Sequence, residues 1–228
     1  MNYKRKGFTL VAPVLLCVLL CLPLSLDAQD TAEIVFDFEG APNKQGVPDP
    51  WKLKVKSGKS RVQVVKEANG SVARFVCEDA SFSLQREIKI DTKKYPFLEW
   101  QWKAVRLPPN GDLRKSGTND QALQILLAFS GNKILSYVWD TNAPEGTVGS
   151  ESVPWPIGLS VKAVVVKSGT GEVGQWLVMK RNVYDDYRRL FGIEPGALQG
   201  LRVQTNCQHT GSTAEGHFGK ISLSAAGR

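Results

Sequence analysis

Residues 119–140, NDQALQILLAFSGNKILSYVWD, decide the fold, because two apolar runs flank the pair Gly131-Asn132 in the manner of a tight β-hairpin. A two-residue turn there pairs Phe129 with Ile134, Leu127 with Ser136, Ile125 with Val138 and Leu123 with Asp140. The face so formed is mainly aliphatic and belongs in a core. The opposite face pairs Ala128 with Leu135, Leu126 with Tyr137 and Gln124 with Trp139, and its mixture of rings and an amide suits either a second core or a binding surface.

Working outward, short alternating segments precede the hairpin at 34–38, 51–56, 61–66, 72–77, 82–88 and 97–103, and follow it at 161–167, 175–181, 199–205 and 218–224. Gly, Pro, Asn and Asp punctuate them at the spacing of a sandwich, giving about a dozen strands. One segment breaks the alternation. In RNVYDDYRRLFG (181–192), Val183, Tyr187, Leu190 and Phe191 share a helical face, Asn182 is a good N-cap and Gly192 a good stop. Asp185 precedes Arg189 by four residues, a pairing distance on a helix. The expected fold is all-β, a jelly-roll-like antiparallel β-sandwich with one short helix at 183–191.

At the N-terminus, Lys4, Arg5 and Lys6 precede the apolar run 8–26, and Ala28 offers a small residue for cleavage. This reads as a signal peptide over 1–28 followed by a single domain over 29–228, in the periplasm or outside the cell. Pro13 and Pro23 disfavour an uncleaved anchor, and Cys17 and Cys21 follow leucines, where lipidation calls for a small residue. With the leader go three basic residues and Asp27, which lowers the formal charge from +7 to +5. The lysines are scattered over strands with no Arg-rich arm, which argues against nucleic acid as a partner. Oligomeric state has no signature in the sequence. Cys77 and Cys207 remain, as a bridge or as two buried thiols. Asn69-Gly70-Ser71 is a turn that also fits a glycosylation acceptor.

Two long polar stretches, 105–118 and 141–160, attach where the hairpin opens, away from its tip. If the second stays at that end, the next hairpin, turning at 169–174, returns Asn182 and the helix to it as well. Asp120, Tyr137, Trp139, Asp140, Trp155, Arg181, Asn182 and Asp186 are therefore the candidate ligand-binding residues, with the loop 206–210 at the opposite end. Trp155 is bracketed by Pro154 and Pro156, a rigid setting that can offer an indole to the apolar face of a sugar. Gly169-Thr170-Gly171-Glu172-Val173-Gly174 matches a dinucleotide fingerprint, but a strand follows it, so a hairpin loop is the better reading. Cys207 and His209 lack any nucleophile signature, and with two histidines in the chain no zinc-binding spacing exists.

Trp100-Gln101-Trp102, Asn119-Asp120-Gln121-Ala122, Tyr137-Val138-Trp139, Arg181-Asn182-Val183, Asp186-Tyr187, Phe191-Gly192, Pro195, Thr205-Asn206 and Thr210-Gly211 follow one another in an order that resembles the bacterial family called domain of unknown function 3047. The likeness spans residues 36–223. It implies a secreted envelope protein and transfers no catalytic residue. Residues 35–40, VFDFEG, followed by Trp51, are also similar to the first strand of carbohydrate-binding jelly rolls, which implies a structural calcium between that strand and the last. Lys220 stands where a carboxylate is wanted, so no cofactor is expected. The reading is a non-catalytic binding module for a glycan or another polar ligand. A polysaccharide-acting hydrolase or lyase using Asp120, Asp140 or Arg181 is the alternative, and a structural envelope protein the third.

Overall fold

The computed structural model describes residues 1, 32–67, 70–154 and 156–225. Residues 2–28 of the expected leader, Asn69 and Trp155 lie outside the described residues. Two sheets face each other. One holds β1 (Glu33–Phe36), β3 (Val62–Glu67), β4 (Gly70–Glu78), β6 (Phe97–Arg106), β11 (Leu177–Asn182) and β13 (Thr213–Ser224), in the order β11-β6-β13-β4-β3 with β1 also on β13. The other holds β2 (Lys52–Ser57), β5 (Ser81–Ile90), β7 (Leu123–Phe129), β8 (Lys133–Asp140), β9 (Val148–Val153), β10 (Leu159–Ser168) and β12 (Leu198–Asn206), in the order β2-β5-β12-β7-β8-β10-β9. Among the described residues the one α-helix, α1 (Val183–Phe191), is capped as expected: Asn182 Oδ1 accepts from the Asp185 amide, and Gly192 closes it at φ 70°.

The hairpin is present, but its register differs from the two-residue turn. Phe129 pairs with Lys133, Leu127 with Leu135, Ile125 with Tyr137 and Leu123 with Trp139. The loop is Ser130-Gly131-Asn132, with Gly131 and Asn132 both left-handed at φ 78° and 55°. The Ser130 amide is taken up by the Ala197 carbonyl at 2.9 Å. One extra loop residue exchanges the partners of every β8 side chain, so Leu135, Tyr137 and Trp139 join the aliphatic side of β7. Leu123, Ile125, Leu127, Tyr137 and Trp139 are all fully buried.

Those two rings meet the aromatics of the other sheet. Trp100 stacks on Tyr137 at 5.3 Å and 18°, and Trp102 lies 6.1 Å from Trp139, so the four rings fill the space between the sheets. Trp51 and Phe38, stacked at 4.9 Å, extend the core toward β2. Cys77 and Cys207 are joined as a disulfide that ties β4 to the end of β12 across the sandwich. Its loop of 130 residues, longer than most, contributes roughly 2–5 kcal/mol by restricting the unfolded chain.

A second departure decides which residues share an end. β10 pairs with β8 in parallel, from Ser160 beside Lys133 to Ser168 beside Asp140, and β9 lies antiparallel outside it. The loop after β8 therefore crosses back to the hairpin tip through β9 before β10 begins. The glycine-rich turn 169–174 then joins the two sheets rather than closing a hairpin, and β11 carries Asn182 and α1 to the tip end. Tyr187 lies 4.6 Å from Phe129 there, and Lys133 sits over the Phe191 ring.

Candidate functional site

The expected convergence is replaced by two separate clusters and an empty-sided groove. Asp186 is buried on α1 and accepts from Arg181 Nε and Nη2 at 2.8 and 2.7 Å, from Arg189 at 2.9 Å and from the Tyr137 hydroxyl at 2.9 Å. Arg189 thus pairs with Asp186 and not with Asp185. Burial pushes the Tyr137 hydroxyl up, reinforced by the Asp186 charge. Burial alone would lower Arg181, but its hydrogen bonds to Asp186 prevail and hold it above its usual value. With its carboxylate saturated and Tyr137 enclosed, this cluster clasps α1 to the core. Asn182 is occupied as the helix cap.

At the opposite end, Asp120 and Asp140 are fully buried and likewise saturated. Asp120 accepts from Asn206 Nδ2 at 2.9 Å and from the amide and hydroxyl of Thr210 at 2.7 and 2.8 Å, while His209 Nδ1 lies 3.1 Å away. The loop 206–210 is therefore at the Asp120 end and not opposite it, because β12 runs antiparallel to β7 with Gln204 beside Gln124. Asp140 accepts from the amides of Leu113, Asn142 and Ala143 at 2.7–2.9 Å and from Gln121 Nε2 at 3.2 Å. Asp140 thus pins both long loops, and Asp120 pins the loop 206–210. A third, Asp112, anchors the first loop by gripping Arg114 through two bonds of 2.8 Å. The Arg114 guanidinium holds the Asp112 carboxyl far below the usual carboxylate range.

The loops so pinned wall one end of a groove on the outer face of the seven-stranded sheet. Its main part is about 440 Å³. A continuation of about 170 Å³ shares Leu126, Ile134 and Arg202 with it, so the two form one channel along the strands. Strand parity lays out the floor. In β7 and β12 the residues alternate to those in the core are Gln124, Leu126, Arg202, Gln204 and Asn206; in β8 and β10 they are Ile134, Ser136, Val138, Val161 and Ala163. One wall is thus built from amides and the other from aliphatics. Asn119, Gln121 and Gln208 add three more amides at the pinned end, and Gly149 leaves room for Leu113, whose Cγ would lie 2.9 Å from any Cβ there.

The amides are aligned but not all consumed. Gln124 Nε2 donates to Asn206 Oδ1, and Gln204 reaches Gln124 Oε1 only at 3.4 Å. Among the described residues Glu151 is the one carboxylate lining the main part of the groove, and Asn119 Nδ2 donates to it at 2.7 Å. Burial lowers Arg202 below its usual value. Cys207 is in the disulfide, which rules out a Cys207-His209 nucleophile pair. Among the described residues no group of three His, Cys, Asp or Glu side chains is arranged to hold a metal. Lys220 pairs with Glu33 of β1 at 2.9 Å, where the jelly-roll resemblance wanted a calcium ligand.

None of Asp120, Tyr137, Trp139, Asp140, Arg181, Asn182 and Asp186 lines the groove, and Trp155 lies outside the described residues. The residues that do line it were visible only as the polar parity of two strands. Residues 201–206, LRVQTN, alternate Leu201, Val203 and Thr205 with Arg202, Gln204 and Asn206, which is the signal that marks a solvated sheet face.

Residues 49–222 match the family described as protein of unknown function (DUF3047), and the chain belongs to that family. No curated protein matches the chain in sequence. Among solved structures, the chain is similar to the xyloglucanase domain of NopAA, a type three effector from Sinorhizobium fredii, in complex with cellobiose, at 9% identity and TM-score 0.49, covering 76% of this chain and 92% of that one. It is also similar to the family 30 carbohydrate-binding module of a cellulosomal cellulase of Clostridium thermocellum, at 11% identity and TM-score 0.44, over 83% and 96% of the two chains. The Trichoderma harzianum endoglucanase 3 from family GH12 is similar at 10% identity and TM-score 0.39, over 78% and 98%. Likenesses at this level transfer no residue role, substrate or activity.

Proposed function

We propose that this DUF3047 protein is a secreted, non-catalytic binding module that holds a glycan along the outer groove of its seven-stranded sheet, in the periplasm or outside the cell. The observation that carries the reading is the two-sided lining: amides of β7, β12 and the pinned loops on one wall, aliphatics of β8 and β10 on the other. A sugar chain is two-sided in the same sense, with hydroxyls at the ring edge and C–H groups on the ring face, and such a groove can serve both. The floor belongs to paired strands, so the recognition groups are held before the ligand arrives, which limits the entropy lost on binding.

Binding is favoured over hydrolysis by the state of the carboxylates. Glycoside hydrolysis uses two carboxyl groups across the scissile bond. Glu151 stands alone on the lining of the groove's main part, Glu87 on the lining of the continuation is paired with Lys52, and Asp120 and Asp140 spend their oxygens on loop donors. The disulfide suits an oxidising compartment, as secretion by the leader expected at residues 1–28 would require.

Affinity electrophoresis of the mature protein through gels containing soluble polysaccharides, neutral and acidic, tests the reading. Retardation in at least one, weakened about tenfold by Gln124→Ala with Gln204→Ala, is the expected result. Retardation by none, or retardation that the double variant leaves intact, removes the groove as a glycan site.

A further inference from the structure

The cross-strand register extends the groove floor in rows to the lysines of edge strand β2, of which Lys56 lines the groove and Lys52 and Lys54 lie beside it. One row runs Lys52, Gln85, Arg202, Leu126, Ser136 and Ala163 from edge strand β2 to β10, and the next runs Lys54, Ser83, Gln204, Gln124 and Val138. Each row goes from a cation at the β2 side to an aliphatic at the β10 side. The carboxylates are unevenly matched to these cations. Lys52 pairs with Glu87 at 2.9 Å, whereas among the described residues no carboxylate is within ion-pair reach of Lys54, Lys56 or Arg202. Arg202 sits where the two parts of the groove join and donates from Nη2 to the neutral Gln85 Oε1 at 2.9 Å.

An edge strand carries lysines to discourage pairing with another chain, and that accounts for Lys52, Lys54 and Lys56 as a stripe. It does not account for Arg202, which lies two strands inward with β5 between it and the edge. A half-buried guanidinium at a channel junction, partnered by one neutral amide, retains donors that a carboxylate could accept in the bidentate manner that arginine favours. Ser136, in the same row, is nearly fully buried, and its hydroxyl has no hydrogen-bond partner.

We infer that the ligand of this groove is a polyuronate, a glycan bearing ring carboxylates, and that Arg202 reads the carboxylate while Lys54 and Lys56 set the sign of the adjoining wall; this rests on the glycan reading above. Arg202 fixes where along the channel the acidic sugar sits. The lysines act over a longer range, drawing in a chain of like charges, and their share falls with added salt.

Polygalacturonate and its fully methyl-esterified form share one backbone and differ in charge, so the pair isolates the carboxylate. The mature protein is titrated with oligomers of each, with alginate oligomers as a second polyuronate and poly-L-glutamate as a polyanion that is not a glycan. The expected result is at least tenfold tighter binding of a free polyuronate than of the ester and of poly-L-glutamate. Arg202→Gln should bring the acid-to-ester ratio near one, and Arg202→Lys should restore it in part. Should Arg202→Gln fail to fold, Lys54→Gln with Lys56→Gln, on an exposed strand, must lower the same ratio. Equal binding of acid and ester, or a neutral polysaccharide held more tightly than either polyuronate, overturns this inference and leaves the glycan reading standing. Poly-L-glutamate binding as tightly as the polyuronates reduces the wall to plain polyanion capture and overturns it too. Failure of every glycan to bind removes both readings.

Discussion

The two faces of the central hairpin are made by the same two strands, of seven and eight residues, yet one became the core of the sandwich and the other the floor of the groove. On the inner face Leu123, Ile125 and Leu127 meet Leu135, Tyr137 and Trp139, all fully buried. On the outer face Gln124 and Leu126 lie beside Val138 and Ser136, on the lining of the channel. Aromatic rings therefore mark the core here and amides mark the candidate site. Rings carry a large apolar area, so burying Tyr137 and Trp139 against Trp100 and Trp102 stabilises the sandwich more than displaying them on the outer face would.

Substitutions on each face break the comparison in different ways. Trp139→Ala should have the largest effect, about 3–5 kcal/mol of lost stability, because the cavity opens between the sheets beside Trp102. Chemical denaturation measures it; a loss under 1 kcal/mol would contradict the placement of this ring. Next comes Asp120→Ala, at about 2–4 kcal/mol, since Asn206 and both donors of Thr210 lose their acceptor. Hydrogen exchange should show the 206–210 loop opening in this variant before the rest of the chain does.

Acid sharpens the same contrast. Asp112 is held below its unfolded value by Arg114, so its stabilisation is complete above the unfolded carboxylate pKa of about 4 and drains away as pH falls below it. Asp112→Asn should lower stability at pH 7 and flatten its decline between about pH 4 and 2. A decline identical to that of the native chain would show that Asp112 contributes nothing to it. The smallest stability effect belongs to the groove floor: Gln204→Ala should cost under about 0.5 kcal/mol, having one long bond at 3.4 Å to lose. Its effect on glycan retention should nonetheless exceed that of Asp112→Asn, and the reverse order would move the site away from the floor.

Much of the architecture was legible in local pattern. Alternation announced the strands, Asn182 and Gly192 announced both ends of α1, and the sandwich followed from their number. The candidate site was far less so. Asp120, Asp140, Arg181 and Asp186 stood out as charges near strand ends, but the structure spends them on loop amides and a helix clasp. Arg202 and Gln204 carry no such mark, because a polar residue on a strand reads as an ordinary solvated face until the neighbouring strands are known.

By itself, then, the sequence determined most of the strands, where the helix starts and stops, and that Leu123, Ile125 and Leu127 face inward, since each rests on periodicity or on a cap read within a few residues; β9, Val148–Val153, lies in the polar stretch 141–160 and has no apolar alternation to announce it. Only the tertiary structure decided that the hairpin turns on three residues instead of two, and that β10 lies parallel to β8. The first choice sent Tyr137 and Trp139 to the core and Ser136 and Val138 to the groove; the second sent α1 and Arg181 to the far end from Asp120. Both turns are compatible with a Gly-Asn pair and both directions with a long loop. The choice falls to what the whole sandwich can bury, and that sum runs over residues distant in the chain.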